Sequence, residues 1–388
     1  MTSRLYYADS YLTEFTARPV SIDGTRVYLD RTAFYPTSGG QRHDLGALGG
    51  VQIVDVVDEE ARVAHVLASA PTFAANDEII GTLDWPRRFD SMQQHTGQHL
   101  LSAIFEDAFG YKTESVHFGD ESATLDLDTE MVPAERLIEA ERCANQAVLD
   151  HHAVTVVFEN AATAAGLRKP SEREGEIRVV SIDGLDRSAC GGTHVRSTAE
   201  IGPVLVRRAE RYKKSCRVEF LCGWRALKSV RADHEALSRM AASMSAAIEE
   251  LPALVSSQAE KLRATDAQRR TLGEALARHK ARDLYQATEP DGSGVRRLLD
   301  RSSSMDELRA LAQEVSRLHA AVFVGTVASP PAVVFAASED TGVNAGAVLK
   351  AALAERGGRG GGSPRVAQGT VPTTDALEAL VLQLAPKS

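Results

Sequence analysis

The chain is poor in cysteine. Four thiols in 388 residues, Cys143, Cys190, Cys216 and Cys222, are too few for a disulfide scaffold, and a reducing, cytoplasmic setting is expected. Long apolar runs are missing as well: none approaches the roughly 20 residues that a membrane-spanning helix needs. The opening stretch MTSRLYYADSYLTEF lacks the apolar core of a secretory signal. Nor is there an excess of positive charge. With 44 Lys and Arg against 53 Asp and Glu, net −9, the molecule is not a cationic coat for nucleic acid. Any grip on RNA must come from local basic patches. What is present is an ordinary globular composition, 43% hydrophobic and 25% charged, in a chain long enough for two or three domains.

Along the chain the patterning changes three times. Residues 1–88 alternate apolar and polar in short runs, TRVYLD, VQIVDVV and ARVAHVL, separated by turn formers, which predicts a β-rich N-terminal domain. The Gly-rich TAFYPTSGGQRHDLG reads as a surface loop between its strands. From Asp90 an α+β stretch begins. Ser91 and Gln94 have capping-box spacing ahead of Leu100, Leu101, Ile104 and Phe105, so a helix is expected with His95 and His99 near its start. A hairpin turning at Gly119-Asp120, a helix from Pro133 to about Leu149, two strands and a long hairpin tipped by Arg211, Lys213 and Lys214 follow. Residues 224–290 read as helical and are divided by Pro252; a hairpin packing on itself and a dimerising coiled coil fit the apolar spacing equally. The remainder, 291–388, alternates helix and strand as a small α/β domain. In it GGRGGGSPRVAQG reads as a glycine-rich loop between two helices, flanked by Arg356, Arg359 and Arg365 and free of acidic residues.

Two motifs carry chemistry. HTGQH places His95 and His99 one helical turn apart, the spacing at which two imidazoles reach one ion. CGGTH adds Cys190 and His194, and together the four form an N/S donor set suited to Zn²⁺. The alternative is a pair of solvated histidines and a buried small thiol. Spacing leaves open whether such a metal is structural or catalytic. The glycines Gly191 and Gly192 fit either a close backbone approach with amides aimed at an anion, or an ordinary tight turn.

HTGQH, CGGTH and the following EIGPVLVRR resemble the editing domain of alanyl-tRNA synthetases and the freestanding alanyl-tRNA editing proteins. TAFYPTSGGQRHDLG is similar to that family's glycine-rich N-terminal motif, and GGRGGGSPRVAQG to the signature of its DHH-associated C-terminal domain. The resemblance covers nearly the whole chain. It implies an N-terminal β-barrel (1–88), a zinc-binding α+β editing domain (89–223), a helical linker (224–290) and a tRNA-binding α/β domain (291–388).

The implied activity is hydrolysis of Ser-tRNA(Ala), with Gly-tRNA(Ala) as a further candidate and no aminoacylation, since the 88 residues ahead of the editing region hold no charging domain. Deacylation of another mischarged tRNA such as Ser-tRNA(Thr), and non-catalytic RNA binding with a structural zinc, are the alternatives. The resemblance carries one Zn²⁺ onto His95, His99, Cys190 and His194. It places Gln41, Gln98 and Thr113 at the amino-acid pocket. Expected tRNA contacts are Gly191, Gly192, Thr193, Arg211, Lys213, Lys214 and Arg217, with Arg359, Gly361, Gly362, Arg365 and Gln368 in the tail. A homodimer and no membrane association complete the expectation.

Overall fold

Period-two burial, as in the alternating run Ile79–Leu83, turns one face of a strand to a core. In the computed structural model, which describes residues 1–170 and 174–385, seven such strands form one antiparallel N-terminal sheet. Its spatial order is Glu14–Ala17, Ile79–Leu83, Gly46–Leu48, Val51–Glu59, Arg62–Leu67, Arg26–Leu29, Pro19–Asp23. The expected barrel is corrected here, because this ladder does not close. Its two edge strands follow one another in the chain, and the corner residue between them, Arg18, gives its backbone N–H to the Asp30 carboxylate at 2.8 Å. Its carbonyl accepts from the Asp30 amide. The chain therefore bends at Arg18, and no ladder joins the two edges.

This sheet belongs to the first of two compact units, Met1–Met240 and Ala241–Ser388. The rest of the first unit is built on helix α1 (Trp85–Phe109) and helix α2 (Ala134–Asp150). Both pack on a four-stranded antiparallel sheet ordered Thr113–Phe118, Ala123–Leu127, Ser215–Cys222, Val204–Tyr212. Their core includes Leu100, Leu101, Phe105, Leu125, Ala144 and Phe220. Gly97 makes a close approach possible, since a Cβ there would lie 2.2 Å from Cys222 Sγ. Gln94 fixes the same strand through its side-chain amide, which donates to Cys222 O and accepts from Cys222 N. A separate three-stranded sheet, Val154–Asn160, Glu176–Ile182 and Asp186–Ala189, leads directly into Cys190.

Helix α1 starts earlier than the capping-box spacing indicates. Asp84 is its N-cap, accepting from Arg87 N at 3.1 Å, with Pro86 in the first turn. Ser91 lies inside the helix and donates to Arg87 O. Asp-Trp-Pro is a stronger start signal than Ser-x-x-Gln, because proline supplies helical φ where no N–H partner is needed. His95 and His99 consequently sit in the helix interior, where the backbone is most rigid.

Helix α3 spans Trp224–Ser243, and helix α4 (Leu251–Ala287), with Pro252 in its first turn, belongs to the second unit. Continuous apolar runs such as Ala321–Val327 and Ala332–Ala337 are fully buried strands, which requires cover on both faces. Helices α6 (Ala345–Ala354) and α7 (Thr374–Leu384) share a core with Val322, Val324 and Phe335. The end of α4 and helix α5 (Met305–Val315) share one with Ala321, Phe323 and Val334.

The glycine-rich stretch of this unit is not a loop. It is a hairpin of Arg359–Gly362 and Val366–Thr370 at the edge of a five-stranded sheet. Its glycines serve packing: a Cβ on Gly369 would lie 2.3 Å from Leu353 of α6, whereas one on Gly361 would meet open space.

Candidate metal centre

Two elements bring the motifs together. Helix α1 presents His95 and His99 on one face, and the turn after strand Asp186–Ala189 presents Cys190 and His194. One ligand atom from each of the four lies within 4.8 Å of all the others. The three imidazoles are buried and Cys190 is partly exposed. Ring centroids are 4.5 Å apart for His95–His194, 4.8 Å for His99–His194 and 5.4 Å for His95–His99. Cys190 Sγ lies 3.4 Å from Nε2 of both His95 and His194.

Each imidazole is held from behind by a different group. His95 Nδ1–H donates to Gln41 Oε1 at 2.8 Å, His99 Nδ1–H to Asp186 Oδ2 at 2.8 Å, and His194 Nδ1 shares a hydrogen bond of 3.1 Å with Thr96 Oγ1. With each Nδ1 engaged by a group behind its ring, the Nε2 atoms are left for the centre of the cluster. A divalent metal binds through such a nitrogen once it is deprotonated, and carboxylate- or amide-backed histidines are its usual supports. The donor set therefore fits a metal ion, and three nitrogens with one sulfur match the ligand preference of Zn²⁺.

Charge is arranged to the same end. Burial alone would push the Cys190 thiol up, but His95 and His194 overcome it and hold the thiol well below its usual value. Burial works against the charged form of His99 also, yet Asp186 and Cys190 outweigh it and push His99 up to about 10. His194 is pushed down to about 3 by burial and then by His95. Without a metal the cluster thus favours a Cys190 thiolate beside a protonated His99 and a neutral His194, a negative sulfur that a cation bound in place of the His99 proton would also stabilise.

Gln41 arrives from the N-terminal glycine-rich segment, which reads in sequence as an ordinary loop. Its positive-φ residues Gly39 and Gly40 turn the chain so that the Gln41 amide is fully engaged. Oε1 also accepts from Thr193 N at 3.1 Å, and Nε2 donates to Thr193 Oγ1 at 2.7 Å. Thr193 itself is completely buried. Gly192 has a steric reason, since a Cβ there would lie 2.1 Å from the His95 ring. Its amide points at Cys190 Sγ, 3.4 Å away, rather than outward at an anion. Gly191 faces Tyr7 with room to spare.

Sequence reading missed three supports, Thr96, Asp186 and Arg88. Thr96 lies inside HTGQH and Asp186 four residues before CGGTH, so proximity to the motifs was the available signal. Arg88 left none. Its fully buried guanidinium pairs with Asp44 and donates to Ser10 O and Ala33 O, anchoring the far end of the Gln41 segment to α1.

The other expected residues fall into three groups. Gln98 Nε2 donates to Ser102 Oγ at 2.8 Å, and Ser102 shares a 2.7 Å hydrogen bond with Thr113 Oγ1. This chain of polar groups begins next to His99 on α1. Lys213 and Lys214 form the tip of the Val204–Tyr212 and Ser215–Cys222 hairpin. Beside them Arg211 pairs with Glu130 at 2.9 Å and Arg217 with Asp126 at 2.7 Å. In the second unit Arg365 pairs with Glu339 and Arg356 with Glu355, so acids lie beside the glycine-rich segment although it carries none itself. Gln368 Oε1 accepts from Arg309 at 2.6 Å. Arg359 is exposed and has no ion pair among the described residues.

The family described as "Threonyl and Alanyl tRNA synthetase second additional domain" matches residues 177–219, and the DHHA1 domain matches 295–385. The alanyl-tRNA editing protein AlaX-L of Pyrococcus horikoshii is 30% identical over 393 residues, covering 96% of this chain and 95% of its own. Alanyl-tRNA editing protein Aarsd1-B of Xenopus laevis is 35% identical over 216 residues, 54% of this chain, and the match spans about half, 52%, of that relative. The alanine–tRNA ligase of Pyrococcus abyssi is 29% identical over 98% of this chain, which corresponds to 43% of the ligase.

Proposed function

The chain belongs to the family of alanyl-tRNA editing proteins, and from that premise we propose that it is a trans-editing hydrolase. Its substrate in this reading is mischarged Ser-tRNA(Ala), with Gly-tRNA(Ala) as a second, and it edits without charging. The observation that carries the reading is the convergence of HTGQH and CGGTH on one four-donor cluster in a chain that AlaX-L matches nearly end to end.

His95, His99, Cys190 and His194 would hold one Zn²⁺. Bound there, the ion supplies positive charge for an ester carbonyl or water, or a fixed scaffold for the site. The chain's own groups do the positioning. Gln41 and Asp186 accept the Nδ1 protons of His95 and His99, Thr96 hydrogen-bonds Nδ1 of His194, and together they orient the rings. An aminoacyl ester is already activated, so placing it beside water and stabilising its developing oxyanion is most of the task. In hydrolysis, water oxygen adds to the carbonyl and the terminal ribose hydroxyl leaves with a proton.

Thr113 is the proposed reader of the serine side chain. In this reading Ser102, which accepts from the Gln98 amide nitrogen, donates its proton to Thr113, so that the Thr113 proton is free for a ligand hydroxyl. A site built to satisfy a hydroxyl rejects alanine more strongly than a missing methylene would allow. Gln41 acts as a support of the metal centre in this proposal, rather than as a pocket wall.

Lys213, Lys214 and Arg359 are the basic groups assigned to tRNA phosphates, in the editing (89–223) and C-terminal (291–388) domains respectively. Leu262, Leu272 and Leu276 of α4 stay exposed, which supports the linker (224–290) as a homodimer contact. The free thiols support a cytoplasmic site of action. No helix among the described residues is long and apolar enough to cross a membrane.

The second reading, a structural metal in a tRNA-binding protein, is favoured by the closed set of four protein donors. Measuring deacylation of Ser-, Gly- and Ala-tRNA(Ala) by the full chain, with and without chelator, separates them. Hydrolysis of Ser-tRNA(Ala) that chelation abolishes supports the editing reading. No hydrolysis of any of the three overturns it.

A further inference from the structure

Two buried arginines in the first unit contrast with one another. Arg88 has the partner expected of a buried guanidinium, the carboxylate of Asp44. Arg178 is 8% exposed and has no carboxylate partner among the described residues. Its acceptors are three backbone carbonyls: Nε reaches Tyr7 O at 3.1 Å, and one terminal nitrogen reaches both Cys190 O at 2.7 Å and Gly192 O at 2.8 Å. The other terminal nitrogen is buried and has no hydrogen-bond partner among the described residues.

A guanidinium placed only to satisfy carbonyls would be a costly choice. A neutral amide offers the same kind of donor without desolvating a charge, and an unused buried N–H adds a further penalty. The side chain nonetheless sits in this place, on strand Glu176–Ile182, where its own carbonyl accepts from Cys190 N at 3.0 Å. Arg178 therefore grips Cys190 at its amide and its carbonyl, and Gly192 at its carbonyl. Those two residues supply the sulfur donor and the Cα that abuts the His95 ring.

We propose that Arg178 is a positioning residue of the metal centre: it fixes the Cys190–Gly192 turn and supplies the buried positive charge that balances the cysteine sulfur ligand. The inference rests on the metal-binding reading of the cluster and is independent of the tRNA substrate. Charge is the decisive part. Lysine keeps it and loses the fork, while glutamine keeps amide donors and loses the charge.

The test uses the full-length protein, with Zn²⁺ affinity read by competition with a chromophoric chelator. Co²⁺ substitution reads the sulfur ligand through its charge-transfer band. For Arg178→Gln, affinity falls by about tenfold or more, the size of effect typical for groups supporting metal ligands, and the band moves to lower energy. Arg178→Lys retains most of the affinity and a band near the wild-type position. In a Cys190→Ala background the Arg178→Gln effect shrinks, because the sulfur it acts on is gone.

Equal behaviour of the glutamine and lysine variants, or an undiminished effect without Cys190, overturns the proposal. Should the glutamine variant fail to fold, the lysine variant decides alone: loss of the sulfur band there overturns it, and retention supports it. Wild-type protein that binds no Zn²⁺ removes the metal reading itself. Wild-type binding with an unaltered glutamine variant removes only the role of Arg178.

Discussion

Gln41 Oε1 accepts the Nδ1 proton of His95 at 2.8 Å, across 54 residues of sequence. A single side-chain amide thus ties the N-terminal glycine-rich segment to the metal helix, and through Thr193 to the CGGTH turn. Replacing Gln41 with Leu leaves the four ligands in place and removes their bridge. Zn²⁺ affinity is expected to drop about 10- to 100-fold, with little change in helix content. Chelator competition and circular dichroism measure both; unchanged affinity would show that the His95 ring needs no amide behind it.

Cys190 is the sole sulfur in the donor set. Cys190→Ala therefore leaves three imidazoles, and zinc content after dialysis is expected to fall well below one per chain. Retention of stoichiometric zinc would sink the assignment. Cys143→Ala, remote from the centre, is the control and should hold its metal.

The Gln98–Ser102–Thr113 chain makes a specificity prediction. Thr113→Val keeps the side-chain shape and removes the terminal hydroxyl. Ser-tRNA(Ala) hydrolysis is expected to slow and its margin over Ala-tRNA(Ala) to narrow, while zinc content stays at the wild-type level. Ser102→Ala should act in the same direction and more weakly. Wild-type rates on both substrates in both variants would move the hydroxyl reader elsewhere.

His65 gives a pH dependence. It is fully buried, with Nδ1–H donated to Val27 O at 3.1 Å and Nε2 accepting from Thr32 at 2.7 Å. Burial pushes it down to about 4 against a reference of 6.5. The unfolded chain therefore binds the extra proton first as pH falls. Its contribution is complete above pH 6.5 and is lost as pH drops towards 4, with a slope of at most about 1.4 kcal/mol per pH unit. Urea midpoints at pH 7 and pH 5 for wild type and His65→Gln check this: the variant starts lower and loses less.

The tail prediction concerns affinity rather than chemistry. Ala226 is buried, and Arg225 reaches Asp90 at 2.6 Å, so a truncation that keeps the first unit intact belongs after Ser243, not at Trp224. It should retain zinc and hydrolysis at saturating tRNA. Affinity should weaken, and the dependence of log K on log salt should flatten by roughly 0.7–0.9 per lost phosphate contact. Arg359→Ala should reproduce part of that loss, and Arg365→Ala less, because Arg365 is already paired with Glu339. Equal affinities and slopes would assign the tail another task.

Local sequence was enough to place the elements that carry the chemistry. The hairpin turning at Gly119-Asp120, the Lys213-Lys214 tip, helix α2 and the α/β character of the tail follow from turn formers and apolar periodicity, which act over a few residues. The residue types at His95, His99, Cys190 and His194 likewise suggested a donor set, but spacing alone left solvated histidines and a buried thiol open, and only the fold brings the four together. Tertiary structure decided what depends on residues far apart in the chain. Whether a sheet closes is set by how its edges diverge at Arg18. Whether a glycine run is a loop or a packed hairpin is set by what lies beneath it, here Leu353. The roles of Gln41, Asp186 and Arg178 came from hydrogen bonds over distances that no local pattern encodes, since an amide, a carboxylate or a guanidinium acquires its function only from the group it is folded against.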